Sequence, residues 1–199
     1  MAIAAGQVKE LRERTGAGMM ECKKALEETN GNLEAAIDLL RARGAAKAAK
    51  RADRETKEGT IGSYVHSNGK IGVLVEVQCE TDFVARNDDF QQLARDLAMH
   101  IAAAGPLALN ADDIPADVAA REKAVYLEQV RNEGKPEAMQ EKIVEGKMRK
   151  FYQESTLMGQ IFVKDPAGKQ TIEQLVQEAS AKTGEKIVVR RFARFALGE

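Results

Sequence analysis

Thr60-Ile61-Gly62-Ser63-Tyr64-Val65-His66, Ser67-Asn68-Gly69-Lys70 and Ile71-Gly72-Val73-Leu74-Val75-Glu76-Val77 follow one another without a break, and their reading decides the fold. The outer runs are β-prone, rich in Val, Ile and Tyr. The Asn-Gly pair between them tolerates positive φ at both positions, which is the strongest short signal for a hairpin. Two antiparallel strands adjacent in sequence are therefore expected. A third is expected over Lys186 to Phe195, where Ile187, Val189, Ala193 and Phe195 share one face by parity. Helices at about 88 to 103 and 171 to 183 are expected to cover that face, making this part of the chain α+β.

Upstream, the period changes from two to between three and four. Val8 and Leu11 mark a first helix, Met19, Cys22 and Leu26 a second, and Leu33, Ile37 and Leu40 a third. Thr15-Gly16-Ala17-Gly18 and Asn30-Gly31-Asn32 punctuate them. These three helices, residues 1–44, resemble a ubiquitin-associated (UBA-like) bundle. Residues 45–58 lose the apolar stripe. There Lys47, Lys50, Arg51, Arg54 and Lys57 outnumber Asp53 and Glu55, which reads as a basic helical linker exposed to solvent.

Residues 59–199 form the α+β core, interrupted at about 117–155 by a different pattern. Ala120, Ala124 and Leu127, then Met139, Ile143 and Gly146, then Val144, Met148 and Phe151 recur at spacings of three and four among charged residues. Asn132-Glu133-Gly134-Lys135-Pro136 divides the two halves, with glycine placed to end one helix and proline to begin the next. The narrow apolar seam predicts a projecting antiparallel coiled-coil hairpin.

The 199 residues are 44% hydrophobic, enough for a packed core, and 31% are charged with a formal net charge of -1. Balanced charge argues against a general nucleic-acid binder. The two cysteines, Cys22 and Cys79, have neither CxxC spacing nor a disulfide framework, which fits a reducing compartment. The N-terminus lacks the pattern of a signal peptide, and no stretch approaches the ~20 apolar residues of a membrane span. A cytoplasmic location is expected.

Catalytic patterns fail one by one. HExxH and GxSxG do not occur, and the two histidines, His66 and His100, lie far apart in sequence. Gly69-Lys70 is followed by Ile71, and Tyr64 stands where a P-loop needs glycine. Asp88-Asp89 and Asp112-Asp113 sit at helix starts or turns, where capping accounts for them without a metal. No enzyme activity, cofactor, metal or directly bound nucleotide is expected.

Glu76-Val77-Gln78-Cys79-Glu80-Thr81-Asp82-Phe83-Val84-Ala85-Arg86 places an acid and an aromatic at a strand-to-helix junction. Taken alone, Asp82 reads as a helix cap and Phe83 as a core residue. Leu11 to Leu26 contains a glycine-flanked turn followed by Met19 and Met20, which point ~100° apart on a helix and cannot be equally buried. Together these segments resemble the elongation factor Ts family, with Gln78 standing where that family usually has Asn. The resemblance covers nearly the whole chain.

That resemblance implies a guanine nucleotide exchange factor for the translation GTPase elongation factor Tu. It implies that Asp82 and Phe83 reach the partner near its Mg²⁺ and phosphate site, with Phe83 as the wedge, and that Thr81 and Val84 also contact the partner. Arg12, Met19, Met20 and Lys23 would dock on a helix of the partner's nucleotide domain, and His66 on a distal domain. Longer family members look like a duplicated core, whereas this chain looks like a single merged copy. A homodimer is implied, one subunit supplying Asp82 and Phe83 and the other His66. Without the resemblance, a passive adaptor built on the bundle and the helical arm would be preferred.

Overall fold

The computed structural model describes residues 3–49 and 51–198. Among them are eight α-helices and a three-stranded antiparallel sheet, so the chain is α+β. The helices are α1 (Ala5–Thr15), α2 (Met19–Glu28), α3 (Leu33–Ala49), α4 (Asp82–Ala85), α5 (Asp88–Ala104), α6 (Ala116–Asn132), α7 (Glu137–Ser155) and α8 (Ile172–Thr183). The strands are β1 (Glu58–Val65), β2 (Ile71–Cys79) and β3 (Val188–Ala196), in the order β1-β2-β3. Of the basic residues expected in a linker, Lys50 lies outside the described residues, as does the side chain of Lys47.

The chain divides into two compact units. The first takes Met1–Gly62, Val75–Asp96 and Gln174–Arg190; the second takes Ser63–Leu74, Leu97–Glu173 and Arg191–Glu199.

In the first unit, α1 stops at Gly16, whose left-handed backbone (φ 66°) lets its N–H reach the Arg12 carbonyl. Asn32 caps α3 by accepting from the Ala35 N–H at 3.1 Å. Val8, Leu11, Cys22, Ala25, Leu26, Ala36 and Ile37 form the buried centre of α1–α3, with Leu33 and Leu40 packed against it. Met19 does not join them. It is half exposed, because Cys22, Ala25 and Leu26 already fill the inner face of α2. Gly62 of β1 is required by contact: a Cβ there would lie 2.4 Å from the Ala94 carbonyl oxygen of α5. Arg51 departs from the solvated linker reading, whereas Arg54 stays exposed. Arg51 donates to the Ser180 carbonyl at 3.0 Å, and Arg54 pairs with Glu80.

In the second unit, the hairpin around Asn68-Gly69 is closed by His66 N–H donating to the Ile71 carbonyl at 2.9 Å. Leu197 N–H donates to the Lys70 carbonyl at 2.9 Å. Antiparallel register then sets Val65 and Phe195 on either side of Gly72, and Ser63 and Ala193 on either side of Leu74. Val65, Leu74, Phe195 and Leu197 are all more than half exposed. The single face expected for β3 is not observed: Ile187 and Val189 are buried while Ala193 and Phe195 are open to solvent, and the alternation breaks at Arg190 and Arg191, which are both exposed.

Helices α6 and α7 meet through buried Val130, Val144 and Met148, flanked by Ala119, Tyr126, Leu127, Ile143, Phe151 and Tyr152. Gly134 takes positive φ and Pro136 precedes α7, as the spacing predicts. The seam on α6 runs through Ala119, Tyr126, Leu127 and Val130, keeping Leu127 of the expected row and leaving out Ala120 and Ala124, which are exposed along with Met139. A one-residue phase error explains this, since Val130 extends the Ala119 row and not the Ala120 row. Lys147 lies over the Tyr126 ring at 5.6 Å and binds Gln129.

His100 is fully buried in this unit. Its Nδ1 accepts the Val163 N–H at 3.3 Å, which leaves the proton on Nε2 to be donated to Gln160 Oε1 at 3.1 Å. Burial pushes its pKa down, keeping the ring neutral.

Candidate partner-docking site

Where β2 ends, the backbone turns out of the sheet and begins a helix of 4 residues, α4. A single turn is poorly self-sustaining, because helix nucleation fixes several dihedrals for one hydrogen bond. Thr81 caps it: its hydroxyl accepts the Val84 N–H at 3.4 Å, from extended backbone at φ -128°. The cap expected at Asp82 is thus displaced by one residue. Asp82 occupies the first helical position, where a negative charge complements the helix dipole, and pairs with Arg86 at 3.1 Å.

Ala85 is buried and Val84 half buried, which turns the Phe83 ring outward. It is 84% exposed. A core role for Phe83 is excluded by that figure. Large aromatics left this open are unusual, since burying one stabilises a fold by about 1.5–3 kcal/mol.

The turn beneath is held by residues distant in sequence. Glu185, just before β3, accepts from Glu80 N–H and Thr81 N–H, both at 3.0 Å, and from the Thr81 hydroxyl at 2.6 Å. Glu80 in turn accepts from Lys186 N–H at 2.6 Å and from Arg54 at 3.2 Å. The Lys186 N–H above all, with Arg54 beside it, holds the Glu80 carboxyl below its usual range. Cys79, buried below the turn, donates its thiol proton to the Thr81 carbonyl at 3.2 Å. Burial, reinforced by the Glu185 charge, pushes the thiol up to about 11.

None of Glu80, Glu185 and Arg54 is singled out by the sequence. Glu185 follows the Gly184 turn and belongs to no motif or periodicity read from the sequence.

On α2, Gly18 is the N-cap and makes no side-chain bond. Met19 and Met20 follow it, 46% and 64% exposed. Neither packs the bundle. Lys23 is exposed and lies 3.9 Å from Glu27, and Arg12 is exposed on α1. His66 is exposed at the end of β1, its Nδ1 3.1 Å from the Tyr64 hydroxyl. Arg12, Met19, Met20, Lys23 and Thr81 to Val84 thus belong to the first compact unit, on three separate helices, and His66 to the second. Among the described residues, no group of three or more His, Cys, Asp or Glu is placed to hold a metal ion, and no helix is long and apolar enough to cross a membrane.

Residues 7–199 match the model of the elongation factor TS family. The chain is similar to elongation factor Ts of Geobacter sulfurreducens, 57% identical over 199 residues, covering 100% of this chain and 91% of that one. It is 57% identical to elongation factor Ts of Fervidobacterium nodosum over 199 residues, covering 100% of both chains. Against elongation factor Ts of Syntrophobacter fumaroxidans the identity is 55% over 196 residues, covering 98% of this chain and 97% of the other.

Proposed function

Because the chain belongs to the elongation factor Ts family, we propose that it is the guanine nucleotide exchange factor of elongation factor Tu, promoting GDP release during protein synthesis. It does so without chemistry of its own. Phe83 enters the partner near its Mg²⁺ and phosphate site, with Thr81, Asp82 and Val84 around it. The free energy of burying that ring favours a partner conformation that coordinates Mg²⁺ poorly. With the metal loosened, less positive charge opposes the diphosphate, and GDP leaves faster. Arg12, Met19, Met20 and Lys23 dock on a helix of the nucleotide domain.

The observation that carries this reading is the 84% exposure of Phe83 on a helix turn pinned by Glu80 and Glu185. The ring is offered to solvent by a held support, as a wedge requires. By linkage, whatever factor this protein takes from GDP affinity, GDP takes from its affinity for the partner.

The homodimer belongs to the same reading. The open sheet face with Val65, Leu74, Phe195 and Leu197 supports a second copy as its cover, with His66 of one subunit and Asp82-Phe83 of the other meeting one partner molecule. Residues 1–44 act as a UBA-like docking module, 45–58 as its linker and 59–199 as the dimerisation core carrying a coiled-coil arm. The place of action is the cytoplasm.

Stopped-flow release of fluorescent GDP from elongation factor Tu tests the wedge. Phe83→Ala is expected to remove most of the acceleration at saturating factor; an unchanged rate would reject it. Excess GDP with Mg²⁺ is expected to dissociate the complex. A passive adaptor would stay bound.

A further inference from the structure

We propose that Glu185 is a positioning residue for nucleotide exchange, orienting the Thr81 hydroxyl and, through it, the short helix that presents Phe83. The inference rests on the wedge reading above. An exposed ring contributes almost nothing to its own placement, and a helix of 4 residues cannot hold itself. Its orientation has to come from its base.

The base is a reciprocal clamp between two segments about a hundred residues apart. One oxygen of Glu185 takes the N–H groups of Glu80 and Thr81 at 3.0 Å each, and the other takes the Thr81 hydroxyl proton at 2.6 Å. Glu80 returns the contact by accepting the Lys186 N–H at 2.6 Å. A hydroxyl has one proton and two lone pairs. With its proton committed to Glu185, the Thr81 oxygen turns a lone pair to the Val84 N–H, the residue next to Phe83.

Glu185 is itself held. Its N–H donates to the Thr183 hydroxyl at 3.4 Å, and the Ser180 hydroxyl donates to its carbonyl. The consequence is an ordered route from the start of β3 to the wedge. If it is broken, Phe83 must be ordered at the moment of insertion, a cost that falls on the exchange step more than on docking.

The test uses the intact protein with GDP-loaded elongation factor Tu, measuring the maximal rate of GDP release and the half-saturating factor concentration. Glu185→Ala is expected to lower the maximal rate about tenfold and to move half-saturation by less than about threefold. Glu185→Gln retains an oxygen for the two backbone N–H groups but turns an amide donor toward the Thr81 hydroxyl, and its maximal rate is expected to fall between that of Glu185→Ala and wild type. Thr81→Val is expected to lower the maximal rate, and the Thr81→Val/Glu185→Ala double variant to be no slower than Glu185→Ala alone, since the two act in series. A wild-type maximal rate for Glu185→Ala overturns the proposal, as does full additivity in the double variant. If Glu185→Ala fails to fold, the Thr81→Val and Glu185→Gln rates decide, wild-type behaviour of Thr81→Val overturning the route. Phe83→Ala run alongside separates the two levels. Silence there rejects the wedge itself, whereas an impaired Phe83→Ala beside an intact Glu185→Ala rejects only the role of Glu185.

Discussion

Phe83 and the pair Met19–Met20 all offer apolar surface to solvent, yet the chain builds the two surfaces in opposite ways. Phe83 is a stiff ring on a turn tied down by carboxylates, a capping hydroxyl and a buried cysteine. The methionines are flexible thioethers at the start of a helix whose N-cap is a bare glycine. A stiff ring on a fixed base suits one cavity and loses little entropy on insertion. A pliable side chain adapts to an approximate surface. On the function proposed above, the difference gives them different duties: docking tolerates adaptation, whereas displacing a metal requires a set shape.

Substitutions that change shape at constant hydrophobicity probe that distinction most directly. Phe83→Leu is expected to cut the maximal rate of GDP release about tenfold, because the aliphatic group reproduces neither the reach nor the flatness of the ring. Removing both thioethers, Met19→Ala with Met20→Ala, is expected to raise half-saturation about fivefold in titrations of the partner while leaving the maximal rate within about twofold. If the double methionine variant lowers the maximal rate as much as Phe83→Leu, the division of labour is wrong. Met20→Leu, the counterpart of Phe83→Leu, is expected to stay within about twofold on both measures.

Acid separates the two surfaces by a different route, with the smallest effect. The folded-state pKa of Glu80 is depressed, so the folded protein holds fewer protons there than the unfolded chain as pH falls toward its ordinary 4.5. The stabilisation is complete above that value and is lost as pH drops through it and below. Thermal unfolding of wild type and Glu80→Gln, followed from neutral to acid pH, should show a gap in midpoint that narrows below about pH 4.5. A gap that widens in acid would show that the Glu80 charge opposes the folded turn.

Local chemistry made much of this legible in the sequence. Asn68-Gly69, Gly134 with Pro136, and the alternation of Val73, Val75 and Val77 each specify their element through neighbours a few residues away. The seam of α6 was misplaced by one position because Ala120 and Ala124 obey the same spacing as Ala119, and only the bulk of Val130 breaks the tie. Glu185 was invisible for a different reason. Its meaning depends on Thr81, 104 positions away, which no periodicity reports. The open half of β3 was hidden similarly: parity assumes an unbroken alternation, and the two exposed residues Arg190 and Arg191 interrupt it.

Cys22 and Cys79 are both completely buried, and burial holds the Cys79 thiol in its unreactive protonated form. For a chemist wishing to watch the factor at work, the surface therefore comes ready-made. A single engineered thiol on α4 or α2 would take up a maleimide dye in preference to either native sulfur, with no need to mutate the interior first.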